Sequence, residues 1–177
     1  MKRFIDDFLI FMKLSDLYLT PENHFVAMEY YGLILNRTFL ILLLDNNFIG
    51  IVANGLVGAK IYSDPLTAFI TDRLVVSGDV YDSYSYLKNS YLMKMKRVNL
   101  LTDDLTKIQR ANFRYSIREI TNVKYNPRKK WGMGDYPHDG RIYLKLNDKM
   151  REFIILGNQS GGAIAKMIKS LIGSTEE

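Results

Sequence analysis

With 177 residues, 47% of them hydrophobic and 12% aromatic, the chain is too apolar to stay disordered and long enough to bury a core as one domain. It has no cysteine, which excludes disulfides, thiolate metal sites, iron–sulfur clusters and a cysteine nucleophile, and fits a reducing compartment. A net charge of +5 makes an anionic partner one electrostatic possibility.

The chain starts Met1-Lys2-Arg3, but Asp6 and Asp7 interrupt the apolar run that follows and no small-residue cleavage site comes after it. The expected location is therefore the cytoplasm. Residues 1–20 place Phe4, Phe8 and Met12, with Ile5 and Leu9, at helical spacing and carry acids in the first turn, which predicts an N-terminal docking helix. Pro21 ends that pattern, and Phe25 to Val57, rich in aromatic and branched residues, reads as three or four antiparallel strands. Between Phe39–Leu44 and Phe48–Val52, Asn46-Asn47 predicts a two-residue hairpin turn, since asparagine tolerates positive φ. The longest dense apolar run, Phe39 to Leu44, falls far short of the roughly 20 residues a membrane-spanning helix needs.

Residues 63–98 read as a helical insertion. Asp64-Pro65 offers a cap and a first-turn proline, and Leu66, Phe69, Ile70 and Leu74 keep helical spacing. A second helix, from about Ser83 to Val98, would gather Tyr84, Leu87, Tyr91, Leu92 and Met95 on one face. Ala111 to Tyr125 then reads as a bend and a strand, and Arg141-Ile-Tyr-Leu-Lys-Leu146 alternates as a strand with one buried face. Asn147-Asp148-Lys149 joins it to Met150-Arg-Glu-Phe-Ile-Ile-Leu156. Residues 159–172 form a helix whose stripe of Ile164, Met167, Ile168, Leu171 and Ile172 must pack on the sheet, because so short a helix is marginal alone.

That order, with Tyr115-Ser-Ile-Arg-Glu-Ile-Thr-Asn-Val123 entering a strand before a strand pair and a terminal helix, resembles bacterial pleckstrin-homology-like (PH-like) domains of uncharacterised function. The resemblance covers about the last third of the chain. It implies an α+β fold, a bent antiparallel β-barrel closed by the C-terminal helix, in a single domain spanning 1–177 with the N-terminal helix and the helical insertion added. It implies a scaffold for binding, and a fold does not by itself fix a function.

Charge is uneven: from Lys88 to Lys130 twelve cations stand against three acids, so a basic surface facing phosphates, anionic lipid or an acidic partner is one reading. A solvated face of long side chains is the other. Within this stretch Asn126 to Gly140 combines three consecutive cations with the only tryptophan, and function often sits on such loops. Arg128, Lys129 and Lys130 would hold a phosphate or carboxylate while Trp131 and Met133 insert at an interface. Otherwise the loop is a long connection whose tryptophan packs back on the barrel. His138 joins this candidate binding loop; flanked by Asp135 and Asp139, it lacks the helix or strand template of familiar metal sites and reads as a surface turn histidine.

Gly157-Asn-Gln-Ser-Gly-Gly162 lacks the Lys-Ser/Thr pair of a P-loop, no Gly-x-Ser-x-Gly elbow exists, and two histidines leave few general bases. The expected function is a non-enzymatic binding module with no catalytic residues, metal or cofactor, engaging a protein partner or an anionic ligand. The alternatives are a basic peripheral membrane binder or, below it, a nucleic-acid binder, and then an enzyme of unrecognised type.

Overall fold

Alternating and continuous hydrophobic runs sort the strands of this chain before any contact is considered. The computed structural model describes residues 11–30, 36–57, 82–102, 104–131, 133 and 137–173. In it β1 (His24–Tyr30), β2 (Asn36–Leu44), β3 (Asn47–Val57), β4 (Phe113–Ser116), β5 (Ile120–Asn126), β6 (His138–Leu146) and β7 (Met150–Leu156) pair antiparallel. The sheet order is β4-β3-β2-β1-β7-β6-β5, and the sheet curls into a half-barrel. Helices α1 (Asn89–Met95), α2 (Asp104–Ile108) and α3 (Gly161–Gly173) accompany it.

One face of the sheet buries Phe25, Phe39, Ile41, Phe48, Phe113, Ile142, Leu144 and Phe153 under Ile164 and Ile168 of α3, which packs on β5 and β6. The other face of the central strands buries Val26, Leu40, Leu42, Ile49, Ile51 and Ile154 against Met95, Leu100 and Leu105. β1, β2 and β7 therefore read as continuous apolar runs because both faces are covered, whereas β6 alternates because only one is. Each buried branched side chain contributes on the order of 1.5–3 kcal/mol, so neither layer is dispensable.

The β2–β3 hairpin forms, with its turn one residue earlier than the sequence suggests. Asp45 (φ 47°) and Asn46 (φ 58°) occupy the left-handed positions, Leu44 opposes Asn47, and the Asn47 side chain donates to the Asp45 carbonyl at 2.7 Å. The β6–β7 pair turns at Asn147–Lys149 as expected. Between β4 and β5 a 3-10 turn, Ile117–Glu119, carries a capping box in which the Ser116 amide donates to the Glu119 carboxylate at 2.7 Å.

Two expected helices differ. The first ten residues of the N-terminal helix and residues 63–81 of the insertion lie outside the described residues. Residues 11–20 carry only a 3-10 turn, Leu14–Asp16. Met12 exchanges backbone and side-chain bonds with the Asn99–Leu100 segment (Leu100 N to Met12 O, 2.8 Å; Met12 N to Asn99 Oδ1, 3.2 Å), and tertiary pairing overrides helical spacing. The expected Ser83–Val98 helix is a 3-10 turn, Ser83–Tyr86, followed by α1, because the Lys88 amide donates to the Ala53 carbonyl of β3 at 2.8 Å and breaks the helical ladder.

Candidate functional site

The Asn126–Gly140 loop does not present its candidate residues together. Met133 is buried in the core against the outer face of the sheet. His138 opens β6 and is buried too: its Nε2 accepts the Lys130 amide at 2.9 Å, which corrects the expectation of a surface histidine. The Lys130 ammonium meets Glu152 Oε2 at 2.6 Å, and Arg141 meets Oε1 of the same carboxylate at 3.0 Å. Burial pushes Glu152 up, but the hydrogen bonds and charges of Lys130 and Arg141 outweigh it and hold the carboxyl below its ordinary range. Arg128, Lys129 and Trp131 remain at the surface; Trp131 is 87% exposed, so it does not pack back on the barrel.

Asp139, beside His138, is structural. One of its oxygens accepts the Tyr125 hydroxyl and the other the Gly161 amide, each at 2.8 Å, so a carboxylate from β6 caps the first turn of α3. Burial and then the Asp139 carboxylate push the Tyr125 phenol upward. The close approach requires glycine twice over: a Cβ at Gly161 would lie 2.5 Å from the Asp139 carbonyl oxygen, and Gly140, at φ 66°, would clash with the Asn126 carbonyl at 2.2 Å. Among the described residues no group of three or more His, Asp or Glu side chains is placed to hold a metal ion.

The cations converge elsewhere. A cleft of about 540 Å³ beside β4 is lined by Arg37, Arg110, Arg114, Lys149 and Arg151 together with Phe113 and Tyr115, with no carboxylate among its described lining residues. Its floor is Arg151, whose guanidinium lies 3.6 Å from the centre of the Phe113 ring and within 6 Å of the Phe39, Tyr115 and Phe153 rings. Glu29 grips it through two bonds, Nε to Oε1 at 2.6 Å and Nη2 to Oε2 at 2.5 Å, and Nη1 donates to the Tyr115 hydroxyl at 3.1 Å. Burial would lower the Arg151 pKa; the hydrogen bonds and charge of Glu29 reverse the effect and keep it charged. Arg114 donates to Asn47 Oδ1 at 3.2 Å, and the Lys149 ammonium sits 4.9 Å from the Tyr115 ring centre, while Arg110 is exposed at the rim.

Arg110 and Arg114 belong to the basic stretch visible in the sequence, but Arg37, Lys149 and Arg151 do not. The one available signal was Arg151 itself, two residues before Phe153 on β7 and therefore on the strand's inward side, where a charge demands a partner. No helix among the described residues is long and apolar enough to cross a membrane. No family model matches the chain, and no curated protein or solved structure matches it either.

Proposed function

We propose that this chain is a non-catalytic binding module on a PH-like scaffold, working in the bacterial cytoplasm, and that the cleft beside β4 captures an anionic group of the phosphate or carboxylate type. One observation carries the reading: five cationic side chains from separate parts of the chain line one depression, and Arg151 at its floor is held in place by Glu29. Arginines beside low-dielectric aromatic walls favour planar, bidentate capture of such groups, and a held guanidinium loses little freedom on binding. The curled antiparallel sheet with its packed terminal helix supports the PH-like assignment.

Titration calorimetry with inorganic tripolyphosphate tests this. Binding should be saturable and fall with added salt, and the Arg110→Glu, Lys149→Glu double variant, which alters two exposed side chains, should weaken it by at least about tenfold, or 1.4 kcal/mol. Arg128→Glu with Lys129→Glu should leave it unchanged. Binding lost equally in both double variants, or none at all, overturns the cleft as the site. Anionic vesicles and a single-stranded oligonucleotide extend the experiment, since cleft-dependent capture of one of them assigns the anion to lipid or to nucleic acid.

A second reading rests on the exposure of Trp131 beside exposed Arg128 and Lys129: the loop is a protein-contact surface. Trp131→Ala should then abolish partner binding without moving the melting temperature.

A further inference from the structure

β7 has a different surface at each end. The cationic cleft surrounds its start, at Lys149 and Arg151, and beyond its finish at Leu156 lies a groove of about 770 Å³ between the start of β1, the Ser83–Tyr86 turn and the first turns of α3. That volume is typical of small-ligand sites. Its apolar lining residues are Phe25, Ala163, Ile164 and Met167, of which Phe25 and Ile164 are buried in the core and Ala163 and Met167 are more open. Among the described residues, the charged ones lining the groove are Glu22 and Asp82, both carboxylates; Lys129 lines the adjacent depression, which shares Asn158, Gln159 and Ser160.

The polar groups that line it are oriented by bonds within the protein. His24 Nδ1 lies 2.6 Å from the Thr20 carbonyl oxygen, which can only accept, so Nδ1 carries the proton. In the neutral imidazole with that tautomer Nε2 accepts the Tyr84 hydroxyl, and the Tyr84 oxygen then offers lone pairs to the groove. Burial and then the Asp82 charge push the Tyr84 phenol upward, which keeps it protonated. Gln159 is engaged: its amide donates to the Val26 and Leu156 carbonyls, and its oxygen accepts from the Val26 amide. The positive end of α3 is already met by Asp139 at the Gly161 amide.

An apolar wall beneath two carboxylates and a phenolic acceptor is complementary to a molecule with an apolar body and a single ammonium head. We propose that this groove binds a small apolar primary amine, its body against Phe25, Ile164 and Met167 and its ammonium between Glu22, Asp82 and the Tyr84 oxygen. This site is separate from the anion cleft and opposite to it in charge.

The test uses the full chain with methyl-labelled methionine, titrated with 2-phenylethylamine and, separately, with 3-phenylpropionate. The amine should shift the Met167 methyl resonance saturably, and the acid should bind at least about tenfold more weakly, the equivalent of 1.4 kcal/mol. Glu22→Gln with Asp82→Asn, both isosteric changes at exposed positions, should weaken the amine by a similar factor and leave tripolyphosphate binding intact. Equal binding of acid and amine, an amine affinity unmoved in the double variant, or no saturable shift up to millimolar amine overturns the proposal, and none of these outcomes bears on the cleft.

Discussion

The Asn126–Gly140 loop and the cleft beside β4 contrast as two uses of positive charge. The loop concentrates three cations in consecutive residues, yet the fold pairs Lys130 with Glu152 and leaves Arg128 and Lys129 as solvated side chains beside Trp131. The cleft draws its cations from β2, the α2–β4 connection, β4, the β6–β7 turn and β7, and gathers them over aromatic rings. Charge density along a chain says little about potential at a surface, because the sheet brings together residues more than a hundred positions apart. Glu29 and Arg151 are the extreme case, 122 residues apart and in direct contact.

The contrast can be broken most severely at the cleft floor. Arg151 and Glu29 side chains are only 13% and 10% exposed, so Arg151→Ala strands a buried carboxylate and should cost about 3–5 kcal/mol in urea denaturation. Replacing both partners together by Leu and Met should recover much of that loss, which identifies the unpaired charge as its cause.

Asp139→Ala comes next. It removes the cap from α3 and the acceptor from Tyr125 without touching any charge of the cleft, and should lower stability by about 1–2 kcal/mol in a thermal melt. Tripolyphosphate affinity should be unaffected, which separates the scaffold around the loop from the cleft.

Glu152 gives a smaller, pH-dependent effect. Its folded-state pKa lies below the ordinary value of 4.5, so it contributes stability that is fully present above that pH and is lost as pH falls through the folded value. The advantage of the native chain over Glu152→Gln should be steady near neutrality, shrink in acid, and stay under about 1 kcal/mol, because the carboxylate is partly exposed and screened. An advantage that grew on acidification would contradict the pairing with Lys130 and Arg141. Smallest of all, Trp131→Ala should shift stability by no more than about 0.5 kcal/mol, since the indole covers no core.

Much of the architecture was legible in the amino-acid order alone. The alternation of Ile142, Leu144 and Leu146 announced a strand with one covered face, the stripe through Ile164 and Ile168 announced a helix docked on a sheet, and Asn46 marked a hairpin. These signals are local: the period of burial is imprinted wherever one element meets one layer. The continuous runs of β1, β2 and β7 carried equally good information about a sheet covered twice, although what covers its outer face, α1, α2 and the connection between them, was visible only in space. Tertiary structure alone decided that Met12 pairs with Asn99–Leu100, that Met133 and His138 turn inward, and that Arg37, Arg110, Arg114, Lys149 and Arg151 meet. Each of those outcomes depends on strand order and register, which bring distant residues into contact while leaving no period in the sequence between them.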